Sequence, residues 1–135
     1  MKLAVLSFLF LFAVAAAHPA SDVNRATLNQ NFDVKAGNRV VIQNEGLNIS
    51  FQTVSEDSRC PENAKCVWTG NAKVVLRLSK AGRRAATINL NTGLDPKHIS
   101  YQGYDIKLVG VKPPQKRNTP INKDDYVITL TITKI

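Results

Sequence analysis

Tyr126-Val127-Ile128-Thr129-Leu130-Thr131-Ile132-Thr133 is an unbroken period-two run. Tyr126, Ile128, Leu130 and Ile132 fall on one side of an extended chain, and Thr129, Thr131 and Thr133 on the other. Successive side chains of a strand point to opposite faces, so such a run has one apolar face for a core and one polar face for water. β-branched residues fill it, and they fit a pleated surface better than a helix.

The same alternation recurs upstream. Val74, Leu76 and Leu78 alternate with Lys73 and Arg77. Ile106 and Leu108 alternate with Asp105 and Lys107. Leu47, Ile49 and Phe51 alternate with Asn48, Ser50 and Gln52, and Ile88 and Leu90 with Thr87, Asn89 and Asn91. Between the runs lie Ala36-Gly37-Asn38, Asn44-Glu45-Gly46 and Lys80-Ala81-Gly82-Arg83, each with the glycine that a tight turn favours. Short connections of this kind predict sequential antiparallel neighbours. About seven or eight strands over residues 31–135 predict an all-β fold: a single antiparallel β-sandwich, or a small barrel. Residues 92–98 have room for one helical turn, limited by Pro96. Lys112 to Lys123 contains three prolines and reads as a stiff loop.

The N-terminus reads differently. Met1-Lys2 precedes an almost unbroken apolar run from Leu3 to Ala17 that ends in small residues, the pattern of a secretory signal peptide. The run is short for a membrane span and has no basic flank after it. Residues 1–17 are therefore expected to be cleaved, after Ala17 or Ala20, with 18–30 a flexible leader and no transmembrane segment left. The expected location is secreted or periplasmic. Of the 135 residues 44% are hydrophobic and 21% charged, as in a globular chain rather than a disordered one. The net charge of +8 is scattered, with no basic run and no aromatic-rich basic face of the kind that binds nucleic acid. It suits solubility or an anionic envelope component. A monomer is expected.

Cys60 and Cys66 are the two cysteines of an exported chain, and a disulfide between them is expected to pin the loop over residues 55–66. Their spacing is neither a zinc pattern nor a redox Cys-x-x-Cys. Trp68, the one tryptophan, reads first as a ring packed on the disulfide and core, and second as a ligand-stacking ring. Asp57 and Arg59 are close enough in sequence to brace the loop, and Gly70 allows a bulge or a close backbone approach.

Glu56-Asp57-Ser58-Arg59-Cys60-Pro61 followed by Cys66-Val67-Trp68-Thr69-Gly70-Asn71-Ala72 resembles the E-D-S-R-C-P…C-x-W-x-G-x-A pattern of small exported bacterial β-domain proteins of unassigned function. Tyr101-Gln102-Gly103-Tyr104 and Asp125-Tyr126 are similar as well. The resemblance implies a secreted β domain. It implies no activity, cofactor or catalytic residue.

Catalytic constellations are lacking. His18 and His98 are the only imidazoles, and no Gly-x-Ser-x-Gly elbow exists. The carboxylate pairs Glu56/Asp57 and Asp124/Asp125 are adjacent residues, which point to opposite faces in a strand and are solvated in a loop. No catalytic residue is assigned, and the chain reads as no enzyme. The expected function is an interaction module that uses the disulfide-pinned loop, with Glu56, Asp57, Arg59 and Trp68 as contacts for a protein or envelope component. No cofactor is expected on that reading. The alternative is a copper-binding protein: cleavage after Ala17 exposes an N-terminal His18, which with His98 supplies nitrogen ligands suited to Cu(II).

Overall fold

The structure, a computed structural model, describes residues 15–16 and 24–135. The expected signal peptide, its cleavage sites and His18 thus lie outside the described residues, Ala15 and Ala16 excepted. Among the described residues no helix is long and apolar enough to cross a membrane.

Among the described residues nine strands form two sheets. One holds β1 (Asn24–Ala26), β3 (Arg39–Ile42), β4 (Leu47–Asp57), β5 (Ala72–Lys80) and β6 (Ala86–Asn91), in that order. The other holds β2 (Asn31–Lys35), β9 (Val127–Lys134), β8 (Tyr104–Lys112) and β7 (His98–Tyr101). All pairs are antiparallel except β1 with β3. The result is the expected β-sandwich, with no closed barrel. The inward residues of the alternating runs meet between the sheets: Ile49, Phe51, Leu76 and Leu78 from one, Ile106, Ile128, Leu130 and Ile132 from the other, all buried.

Three expectations need correction. Residues 24–26 are not leader: β1 runs beside β3, Asn24 opposite Val40 and Ala26 opposite Ile42, with Ala26 buried in the core. Second, Ala36-Gly37-Asn38 is a tight turn but not a hairpin. The Ala36 amide donates to the Tyr126 carbonyl (2.9 Å), whereas Gly37 donates to the Phe51 carbonyl (2.8 Å). The two ends of the turn are captured by different sheets, so β2 pairs with β9 and β3 with β4. The turns at 43–46 and 81–85 do join antiparallel neighbours. Third, residues 92–97 hold bends and no helix, and among the described residues the one short helix is a 3-10 turn at Lys123–Asp125, capped by the Asn122 side chain.

Two register shifts in β4 matter for the rim of the sandwich. They fall between Phe51 and Thr53 and between Val54 and Glu56. Each bulge moves the inward parity by one residue. The buried positions accordingly pass from Leu47, Ile49 and Phe51 to Val54 and then to the inward-turned Asp57.

Candidate functional site

Asp57 closes β4 at one end of the sandwich. Two residues later the chain turns back, and the Arg59 guanidinium meets the Asp57 carboxylate edge to edge: Nε to Oδ1 at 2.8 Å and Nη2 to Oδ2 at 2.7 Å. Nη1 also donates to the Val111 carbonyl (2.8 Å) and Nη2 to the Pro113 carbonyl (2.9 Å). Tyr126, at the mouth of β9, donates its hydroxyl to Asp57 Oδ2 at 2.8 Å. The side chains of Arg59 and Asp57 are only 15% and 7% exposed. A paired fork of charge-assisted bonds in such shelter is strong and geometrically fixed. Burial pushes the Asp57 carboxyl up, but the hydrogen bonds from Arg59 and Tyr126 and the guanidinium charge outweigh it and hold it below the usual range. Burial and the neighbouring Asp57 carboxylate push the Tyr126 phenol up to about 12.

The Cys60–Cys66 bridge is formed, with the two Cα atoms 5.9 Å apart. Its ring docks on the proline-containing loop. The Glu62 amide donates to the Gln115 carbonyl (2.8 Å), Arg117 donates its amide to Asn63 Oδ1 (2.9 Å), and Gln115 Nε2 reaches the Asp57 carbonyl (3.2 Å). Disulfide, guanidinium fork and proline loop together make a rigid collar.

Beyond the collar the chain returns toward β5 through a second knot. Asn71 and Asn91 are buried, and Asn71 Nδ2 donates to Asn91 Oδ1 at 2.9 Å. Asn71 Oδ1 accepts from the Gly93 amide (2.9 Å), and Thr92 Oγ1 accepts from the Ala72 amide (2.9 Å). Buried amides are tolerated because each is satisfied in this way. Two glycines let the backbones touch. At Gly70, with φ of 71°, a Cβ would sit 2.2 Å from the Ser58 carbonyl oxygen; at Gly93 it would sit 2.0 Å from that of Gly70.

Beside this knot lies an open depression of about 370 Å³, lined by Trp68 and Leu94 together with Ser58, Thr69, Gly70, Asn71 and Gly93. Trp68 is 62% exposed, Leu94 60% and Val67 99%. The expectation that Trp68 packs on the disulfide and core is corrected here. The ring is largely exposed and lines the depression together with Gly70, Asn71 and Gly93.

The four loop residues therefore separate. Asp57 and Arg59 are brought together and turned inward, as bracing groups. Glu56 points the other way, 68% exposed and 3.2 Å from Lys73. Trp68 stands at the depression. His98, 64% exposed, has Nδ1 2.7 Å from Asp105 Oδ1 across the β7–β8 hairpin. Its proposed copper partner His18 lies outside the described residues, and among the described residues no group of three or more His, Cys, Asp or Glu is placed to hold a metal ion. Sequence reasoning did not single out Asn71, Asn91, Gly93 or Leu94. One signal was present: Asn91 sits where Ile88-x-Leu90 has just ended, a polar residue at the end of an apolar alternation. Comparison with family models, with curated proteins and with solved structures gives no match to this chain.

Proposed function

We propose that the chain is an exported, non-enzymatic β-sandwich that binds an envelope component or another protein through the loop pinned by Cys60–Cys66. Export is supported by the apolar N-terminal run and by the disulfide, a bond that persists in oxidising compartments. The observation that carries the reading is the largely exposed indole of Trp68 on a backbone held by the collar and the buried asparagine knot. A rigid aromatic anchor loses little entropy on binding. Arg59 and Asp57 serve by holding the loop and are not themselves contacts.

The experiment is affinity capture from the native culture on immobilised protein, wild type beside Trp68→Ala. The expected result is a component retained by the wild type and lost by the variant, whose circular dichroism is unchanged. Equal retention by both proteins overturns the reading. Acrylamide is also expected to quench Trp68 readily, and a shielded indole counts against it.

A further inference from the structure

The lining of the Trp68 depression is uncharged. None of the residues that line it is ionisable, although the chain carries 18 Lys plus Arg and 10 Asp plus Glu. Its two large apolar lining residues are Trp68 and Leu94. The same stretch has hydrogen bonds to give. Among the described residues, nothing accepts from the amides of Trp68, Thr69 or Gly70, and the Thr69 hydroxyl has no partner. The backbones here are closely packed: a Cβ at Gly70 would meet the Ser58 carbonyl, and one at Gly93 the Gly70 carbonyl. The volume of about 370 Å³ is that of a small-ligand site, and its open top lets a longer chain run across it.

A fitting ligand is uncharged, presents a flat C–H face to an aromatic ring, and carries oxygen acceptors around its edge. From this match we infer that the depression is a binding site for a neutral saccharide, one sugar ring stacked on Trp68 and its ring oxygens and hydroxyls facing the amides of Trp68 to Gly70. An anionic polymer gains nothing from an uncharged lining, and burying its charge there carries a desolvation cost without a counter-ion. The inference rests on the binding-module reading and names its ligand class.

Trp68 is the only tryptophan, so indole emission excited beyond the tyrosine absorption band reports this site alone. The probes are cellohexaose, maltohexaose and chitohexaose, with hexagalacturonate as the anionic comparison, titrated into the full mature protein. Saturable change in Trp68 emission with at least one neutral hexasaccharide, insensitive to salt, is expected. Calorimetry on Trp68→Ala is expected to show affinity lower by about tenfold or more, and on Leu94→Ser a smaller loss. Both side chains are exposed, and unchanged circular dichroism confirms that the variants fold. Salt-sensitive binding of hexagalacturonate alone overturns the neutral-saccharide inference. So does a lack of response to all four probes. If capture from culture still depends on Trp68 in that case, with a protein as the retained component, the binding-module reading stands while this inference falls. If capture fails as well, both fall.

Discussion

Asp57 accepts from a guanidinium and a phenol at the same carboxylate, and the consequences can be worked out at that residue. Its pKa is held down in the folded state, so the unfolded chain takes up the proton first as acid is added. Stability from this group is present above its unfolded value of about 4 and is lost as pH falls through the lower folded value. Tyr126 has the opposite sign. Its folded pKa of about 12 lies above the unfolded value of about 10, so its contribution is complete below about pH 10 and fades between there and about 12. Urea midpoints measured across that alkaline window are expected to fall for the wild type and to fall less for Tyr126→Phe. Identical slopes would mean that Tyr126 is not the titrating group. At neutral pH, Tyr126→Phe is expected to lower stability by about 2 kcal/mol, because a hydrogen bond to a sheltered charge is lost. Arg59→Ala is the more severe change. It leaves the inward carboxylate without its counter-ion and frees two carbonyls, and a loss of about 3 kcal/mol in chemical denaturation is expected. A loss under about 0.5 kcal/mol would be that of an ordinary surface pair.

At the scale of the element, the disulfide ring and the proline loop act as one unit. The ring closes few residues, so chain entropy accounts for only ~2.4 kcal/mol of stabilisation. Its larger effect is local, since it presents Glu62 and Asn63 to Gln115 and Arg117. Replacing both cysteines by serine is expected to speed hydrogen exchange of the Glu62 and Arg117 amides well beyond that of central β4 and β5. Uniform acceleration through the sandwich would show that the bridge supports the whole fold instead. Much of this unit was legible beforehand. An even cysteine count, close spacing and Asp57-x-Arg59 pointed to a braced loop. The environment of Trp68 was not legible, because whether an indole two residues past a disulfide packs or projects depends on what occupies the space beneath it. The residues that share the depression with Trp68 include Asn71, just before β5, and Gly93, just after β6, which a hydrogen bond joins.

Across the whole molecule, all three tyrosines send their hydroxyls from one sheet to the other. Tyr126 reaches Asp57 at one end of the sandwich. At the other, Tyr104 donates to Glu45 Oε2 (2.5 Å) and Tyr101 to the Arg84 carbonyl (2.8 Å). Lys80 adds a cation beside this second cluster, 5.1 Å from the Tyr104 ring centre and 2.6 Å from the Glu45 carbonyl. The hydrogen bond from Tyr104, and to a lesser degree Lys134, holds the Glu45 carboxyl below its usual range. Tyr104 and Tyr126 share no partner. The double variant Tyr104→Phe/Tyr126→Phe is therefore expected to lose the sum of the two single losses. A clearly larger loss would mean that the two ends communicate through the sheets.

Sequence alone determined which face of the alternating runs at 47–52, 73–78, 87–90, 105–108 and 126–133 turns inward, that the fold is all-β, and that the two cysteines are neighbours. All of these follow from local rules: side chains alternate every second residue, and few residues separate Cys60 from Cys66. Tertiary structure decided which strands pair, since the turn at 36–38 crosses between sheets where a hairpin was expected. It also decided which loop residues face solvent. Two bulges in β4 reset the inward parity and swing Asp57 toward Arg59 and Tyr126. The depression beside Trp68 is assembled from segments more than twenty residues apart, Ser58 to Leu94. Contacts of that range depend on register and packing, which no local alternation encodes.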